Sequence, residues 1–173
     1  IQEAITRQLD PLDPVVVTFG KINGGKAYNI LAERVNILGT VRCTNVLLFE
    51  NIGEWLNKTI SDLCKACGAE CDVKFKKITP PVNNNLEINR VIRKSAIELF
   101  GNDKVIELQK PSMGAEDFAE YLNHVPGSMF RLGVSKSREF SPLHSSEFNL
   151  DEEAIRIAIK LITETIIKFN EEK

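Results

Sequence analysis

The stretch "TPPVNNN", Thr79 to Asn85, constrains this chain more than any other. Its two prolines lack the N–H that an interior strand must donate, and each holds the residue before it out of the α region. The asparagine run that follows favours turns, because a short amide side chain bonds its own backbone. Neither a helix nor a central strand passes through such a segment. The chain therefore reads as two parts, residues 1–78 and residues 79–173.

In the first part "AITRQLDPLDP" carries a helix that ends near Pro11. "PVVVTFGKINGG" is β-branched and apolar and closes on Gly24 and Gly25, so it reads as a strand. "RVNILGTVRCT" sets Val35, Ile37, Gly39, Val41 and Cys43 on one face at period two, a half-buried strand. In "NVLLFENIGEWLNKTISDLCKACG", Leu48, Ile52, Trp55, Leu56, Ile60, Leu63 and Cys67 recur at helical spacing, and Gly68 is a natural C-cap. "AECDVKFKKI" reads again as a strand. The first residues, "IQEAITR", read as a helix in progress, so further chain is expected ahead of Ile1. One strand added there completes β-α-β-β-α-β, the ferredoxin-like pattern.

The second part alternates helix and strand: "LEINRVIRKSAIELFG", "KVIEL", "GAEDFAEYLNHVPG", "SMFRLGV", the long loop "SKSREFSPLHSSEFN", then "DEEAIRIAIKLITETIIKF". That is part of an α/β layer. Two short strands bury little of three helices, so this half is expected to belong to a larger domain. The expected fold class is α/β: a ferredoxin-like α+β domain at 1–78, lacking its first strand, then an incomplete α/β piece at 79–173.

Charge and hydropathy remove several partner classes. A formal net charge of −2 with no long Lys/Arg stripe argues against nucleic acid. "KFKK", the densest basic run, reads as a solvated strand end. No apolar run reaches the roughly 18 residues a membrane span needs, and no signal peptide is visible, so a cytoplasmic location is expected. Of the four cysteines, Cys64, Cys67 and Cys71 fall in "CKACGAEC". C-x-x-C is half of many zinc sites. Cys43 stands apart on another strand and no second close pair exists, so reduced thiols are the favoured reading.

Three loops hold residues able to do chemistry. In "INGGKAYNI", Gly24 and Gly25 permit positive φ or close backbone approach, and Asn29 follows. From the residues alone a hairpin turn is the favoured reading. In "PSMGAEDF", Glu116 and Asp117 begin a helix, either as dipole-favoured charge or as a carboxylate at a cleft edge. In "SPLHSSEF", His144 is a surface residue, a base or a metal ligand, and the surface reading is favoured for a lone loop histidine. His124, in "YLNHVPG", reads as a helix-end residue.

Four stretches taken together go further. "DPLDPVVVTFGKINGGKAYNILAERVNILGTVR", "PSMGAEDFAEYL", "VPGSMFRLG" and "PLHSSEFNLDEEAI" occur in the order and at the spacing of the dinuclear-metal amidohydrolases and peptidases. The chain resembles the second half of these enzymes, the group of aminoacylases, hippurate hydrolase, N-acetyldiaminopimelate deacetylase and the plant auxin-conjugate hydrolases. The resemblance covers essentially the whole chain. It implies a lid and dimerisation domain at 1–78 and the end of a catalytic domain at 79–173. It implies a homodimer formed through the lid, a small N-acyl amino acid or peptide-like substrate, and two divalent ions (Zn²⁺, Mn²⁺ or Co²⁺) in the complete enzyme. His144 matches the family's C-terminal metal-ligand histidine. Asn29 matches a lid asparagine that reaches the substrate carboxylate or scissile carbonyl, often across the dimer. Gly24 and Gly25 match the turn beside it, and Glu116 an acidic residue lining the cleft.

The family's His-X-Cys-Gly-His-Asp motif and the glutamate that serves as general base are not in this chain, and Ala32 stands where many relatives have proline. The expectation is a fragment of a metal-dependent amidohydrolase, inactive by itself and binding none of the metal alone. A non-catalytic dimerisation or binding module is the alternative.

Overall fold

The computed structural model describes residues 1–135 and 141–171. The chain forms two compact units. One takes Ile1–Val82 together with Lys110–Glu120; the other takes Asn83–Gln109 and the chain from Tyr121 onward. None of the described helices is long and apolar enough to cross a membrane.

The first unit opens with α1 (Gln2–Gln8), which stops just ahead of the Asp10–Pro11 pair. The Gln2 side-chain amide ties it to β1 by donating to the Val17 carbonyl at 2.8 Å. Strands β1 (Val15–Gly24) and β2 (Val35–Cys43) pair antiparallel, from Val15 opposite Cys43 to Gly24 opposite Val35. The register slips between Phe19 and Lys21, so Gly20 is an extra residue on β1. The bulge matters because it resets the alternation. Val17 and Phe19 face the same way as their partners Val41 and Gly39. One residue later than strict alternation allows, Ile22 joins them opposite Ile37. The sheet thus keeps one apolar face along its whole length.

Helix α2 (Val46–Ala66) starts on Asn45, whose side-chain oxygen accepts from Leu48 N–H at 3.1 Å and whose amide donates to Asp13 at 2.8 Å. Ile52 and Leu56 are its buried positions. Gly68 takes φ +69 just past the helix, and Ala69 N–H returns to the Cys64 carbonyl at 2.9 Å, the glycine-terminated reversal its sequence suggests.

After that reversal the expected strand "AECDVKFKKI" does not form a ladder. Its side chains alternate all the same. Cys71 meets Ser61, Phe75 packs against Gly53, and Lys77 pairs with Glu50 and lies 5.8 Å from the Phe49 ring. From Ser61 back to Gly53 is about 12 Å of helix. Four residues of strand-like backbone, Cys71 to Phe75, span about 13 Å. The segment therefore runs back along α2 nearly extended, with no neighbouring strand among the described residues.

In the second unit α3 (Leu86–Phe100) is capped by Asn85, whose side chain accepts from Ile88 N–H at 3.0 Å. It ends at Gly101, φ +91, and a short 3-10 turn, Asn102–Lys104, follows. Helix α4 (Phe118–Leu122), a single turn or so, begins in the first unit and ends in the second. Helix α5 (Glu153–Glu171) packs on α3. Val91, Ile92, Ser95 and Ala96 of α3 and Ala154 and Leu161 of α5 are buried. Lys168 on α5 bonds Glu98 on α3 and lies 3.4 Å from Glu164, and the bond to Glu98 raises its pKa.

The expected strands "KVIEL" and "SMFRLGV" are absent as ladders too, and Ile106 and Leu108 are largely exposed. Strand conformation needs a second backbone to satisfy its donors and acceptors, and the described residues place none beside them. The α/β expectation holds: a small antiparallel sheet with helices.

Two expectations follow for stability. A Cβ on Gly39 would stand 2.5 Å from the Thr18 carbonyl oxygen, whereas one on Gly20 meets nothing within 4 Å. Gly39→Ala should cost about 1–3 kcal/mol in urea denaturation and Gly20→Ala much less. The Ser95 hydroxyl is fully buried and has no hydrogen-bond partner among the described residues. Ser95→Ala should therefore be neutral or stabilising by about 1 kcal/mol in the same assay.

Candidate functional site

Asn29 sits at the tip of the β1–β2 hairpin, and the local chain explains why. A Cβ on Gly24 would lie 2.8 Å from the Arg34 carbonyl oxygen and 2.9 Å from Val35 Cγ2, so only glycine closes the ladder there. Gly25 follows at φ +83, a conformation that glycine adopts without cost. The chain then makes a tight turn, Ile30 N–H to Ala27 O at 3.3 Å, with Asn29 in its third position. Asn29 is exposed, and its immediate neighbour Tyr28 is fully so.

Glu116 belongs to the same unit. Its carboxylate accepts from Phe118 N–H at 3.2 Å and its carbonyl from Ala119 N–H at 3.1 Å. The side chain thus turns the backbone into α4 and stays exposed. The loop is tied to β2 where Arg42 Nη1 donates to the Met113 carbonyl at 2.9 Å. Arg42 lies opposite Val16, at the root of the hairpin, and Gly24 opposite Val35 at its tip. Root and tip stand roughly 23 Å apart along the ladder. Nothing in the sequence marked Arg42 as the anchor; its partner is a backbone carbonyl, which any residue carries.

His144 lies in the second unit. Ser145 N–H bonds the Pro142 carbonyl at 3.2 Å, which makes Pro142–Ser145 a turn with His144 third. At that position φ is 67°, the one non-glycine residue at positive φ among the described residues. A side chain there costs of order 1 kcal/mol. The imidazole is exposed. Ser145 stiffens the exit from the turn, its hydroxyl accepting from Glu147 N–H at 3.1 Å and its carbonyl from Phe148 N–H at 3.1 Å.

A neutral imidazole is a good ligand for a divalent ion. Among the described residues, however, no three His, Cys, Asp or Glu side chains come together as a metal-sized group. The described residues offer one ligand and not a dinuclear ligand set. Gly24, Gly25 and Asn29 are brought together at one tip, Glu116 is in a loop fastened at the hairpin's other end, and His144 is in the other unit.

The asparagine run does more than turn. Asn84 Nδ2 donates to the Met129 carbonyl at 2.9 Å while Met129 N–H donates to Asn84 Oδ1 at 2.9 Å. Asn85 N–H adds a bond to the Gly127 carbonyl at 2.8 Å. The amide side chain replaces a neighbouring strand for "PGSM". His124 lines the shallow cleft beside this clamp, with Asn83 and Pro126.

A hairpin carrying an amide at its tip, and a histidine held out on a strained turn, are set in a fold that known metallopeptidases share. The structure superimposes on that of the Bacillus subtilis YXEP protein, a dinuclear metal binding peptidase from the M20 family, with a TM-score of 0.78 at 24% identity, over 91% of this chain and 42% of that one. The profile of peptidase family M20/M25/M40 matches residues 5–168, and the chain belongs to that family. It is 33% identical to an N-acetyldiaminopimelate deacetylase of Lactococcus lactis subsp. cremoris, over 94% of this chain and 42% of the relative. It is 31% identical to an N-acetyl-L-cysteine deacetylase of Bacillus subtilis, over 90% and 36%. The chain thus spans about two fifths of the length of these relatives.

The strain at His144 gives a test of whether the residue is kept for stability or for chemistry. His144→Gly should raise the denaturation midpoint, equivalent to about 1 kcal/mol, and His144→Ala should not. Equal effects of the two substitutions would mean that the turn carries no strain.

Proposed function

We propose that this chain is the closing portion of a metal-dependent amidohydrolase that cleaves the amide bond of N-acyl amino acids or related peptide-like conjugates. The observation that carries the reading is the family match over residues 5–168. The names of two relatives, both deacetylases of N-acetylated amino acids, support the substrate class. In this reading His144 supplies one imidazole to one of two divalent ions, Zn²⁺, Mn²⁺ or Co²⁺, in the complete enzyme. The remaining ligands in this reading come from the rest of the complete enzyme, and the 173-residue chain alone is proposed to be inactive.

Residues 1–78 serve as the lid and dimerisation domain and residues 79–173 as part of the catalytic domain. The exposed row Ile155, Ile159, Ile162 and Ile166 along α5 supports the second assignment. Apolar residues at that spacing are a face made for burial. Asn29 donates its amide to the substrate carboxylate or to the scissile carbonyl, where a donor stabilises developing negative charge. Gly24 and Gly25 let the tip approach substrate closely, and Glu116 lines the cleft. The distance between the hairpin's tip and the root that anchors the Glu116 loop supports a homodimer in which Asn29 serves the partner's cleft. The protein acts in the cytoplasm on a small molecule, without nucleic acid or membrane.

Purified protein that includes this chain and the family's upstream ligand motif should hydrolyse N-acetyl amino acids, lose activity to a chelator and regain it with Zn²⁺, Mn²⁺ or Co²⁺. His144→Ala should lower its metal content and reduce kcat/KM by about 10²-fold or more. The isolated 173-residue chain should show negligible turnover with any of these ions. Robust turnover by that chain, or unchanged metal content in the His144 variant, would overturn the assignment.

A further inference from the structure

The three cysteines of "CKACGAEC" play no part in the proposed chemistry, yet the fold arranges two of them closely. The glycine-terminated reversal after α2 sends the chain back along the helix and sets Cys71 beside its last turns. Cys71 S–H donates to Ser61 Oγ at 3.6 Å, and the Ser61 hydroxyl donates to Asn57 Oδ1 at 3.3 Å. Cys64 lies one turn beyond Ser61 on the same helix face, and Ala69 N–H bonds its carbonyl at 2.9 Å, so the returning chain passes Cys64 on its way to Cys71. Cys71, Ser61 and Asn57 form one continuous donor chain, with Cys64 one turn along the helix from it. Cys67 lies at the helix cap, its N–H shared between the Leu63 and Cys64 carbonyls, and Cys43 is on β2 with its own contact to the Asn45 carbonyl. A metal does not explain the cluster, since no three such side chains converge among the described residues.

We propose that Cys64 and Cys71 are a dithiol site that closes to an intramolecular disulfide when a small disulfide of the glutathione class oxidises it, and reopens when a thiol reduces it. Cys71 is exposed and Cys64 half-buried, so Cys71 meets the oxidant first. Its thiolate attacks one sulfur of the glutathione disulfide, forming a mixed disulfide and releasing one glutathione thiolate. The Cys64 thiolate then attacks the Cys71 sulfur, forming the protein disulfide and releasing the second glutathione. Two protein thiols are oxidised, one glutathione disulfide is reduced, and the two thiol protons leave on two glutathione molecules. Burial and the neighbouring Cys71 raise the Cys64 thiol above its ordinary pKa, so the second, intramolecular step speeds up as pH rises.

The consequence is mechanical. Phe75 against Gly53 and Lys77 with Glu50 hold one end of the extended segment 71–77 to α2. The disulfide fastens the other end. Closing the pair therefore fixes the segment along the helix; opening it leaves that end on weak thiol and hydroxyl hydrogen bonds.

The test is oxidation of the 173-residue chain with excess glutathione disulfide, acid quench and peptide mapping. Cleavage after Lys65 and after Glu70 puts Cys64, Cys67 and Cys71 on separate peptides. The expected product has lost two hydrogens, links the Cys64 and Cys71 peptides, keeps no glutathione, and reverts with dithiothreitol. Its thermal midpoint should lie about 5 °C above that of the reduced form. Cys67→Ser should give the same product, while Cys64→Ser should retain glutathione on Cys71. A link mapped to Cys67 or Cys43, a lasting glutathione adduct on Cys71 in the unsubstituted chain, or no reaction at Cys71 would overturn the proposal. Mapping of the unsubstituted chain decides the matter even if a serine variant fails to fold.

Discussion

The ladder between Val15–Gly24 and Val35–Cys43 is the interaction on which the first unit depends, because in it two strand-forming segments satisfy each other's backbone. Peptide N–H and C=O groups must be paired or solvated. Here the two runs are close in sequence and a glycine pair allows them to fold back, so each finds the other. The bulge at Gly20 keeps their apolar residues on one face although the sequence spacing shifts by one. Everything placed at the hairpin's tip, Asn29 included, inherits its position from that ladder.

The same requirement explains what did not form. "AECDVKFKKI", "KVIEL" and "SMFRLGV" have the composition of strands. Strand character is a property of a pair, and among the described residues these three have no backbone alongside. Each settles for a substitute. The first lies along α2 through alternate side chains, Cys71, Phe75 and Lys77. "SMFRLGV" borrows the side-chain amide of Asn84 and the N–H of Asp151. "KVIEL" leaves Ile106 and Leu108 in solvent. The substitutes are local and polar, and they hold single points rather than a register.

The candidate residues divide in an equally physical way. At Gly24 steric exclusion leaves no other residue type, and at Gly25 a positive φ favours glycine, so both identities follow from geometry. Glu116 has a structural task in starting α4, which accounts for a carboxylate there without any reference to substrate. His144 is different. The turn that holds it would be easier for glycine, and its side chain makes up none of that cost by burial. Strain of this kind at an exposed imidazole is what functional residues display more often than structural ones.

The sequence alone determined the helices and both paired strands, because apolar periodicity and turn glycines act within a few residues of one another: Gly68 and Gly101 stop their helices where the pattern says. It also carried the family, through four motifs in register. The tertiary structure decided the rest. Which strand-like segments obtained partners, the bulge that keeps Ile22 with Phe19, the Arg42 anchor of the Glu116 loop, the Asn84 clamp and the return of Cys71 to Ser61 all join residues through space. Their partners are backbone atoms or side chains set by the path of the chain, and a local pattern holds no record of that path.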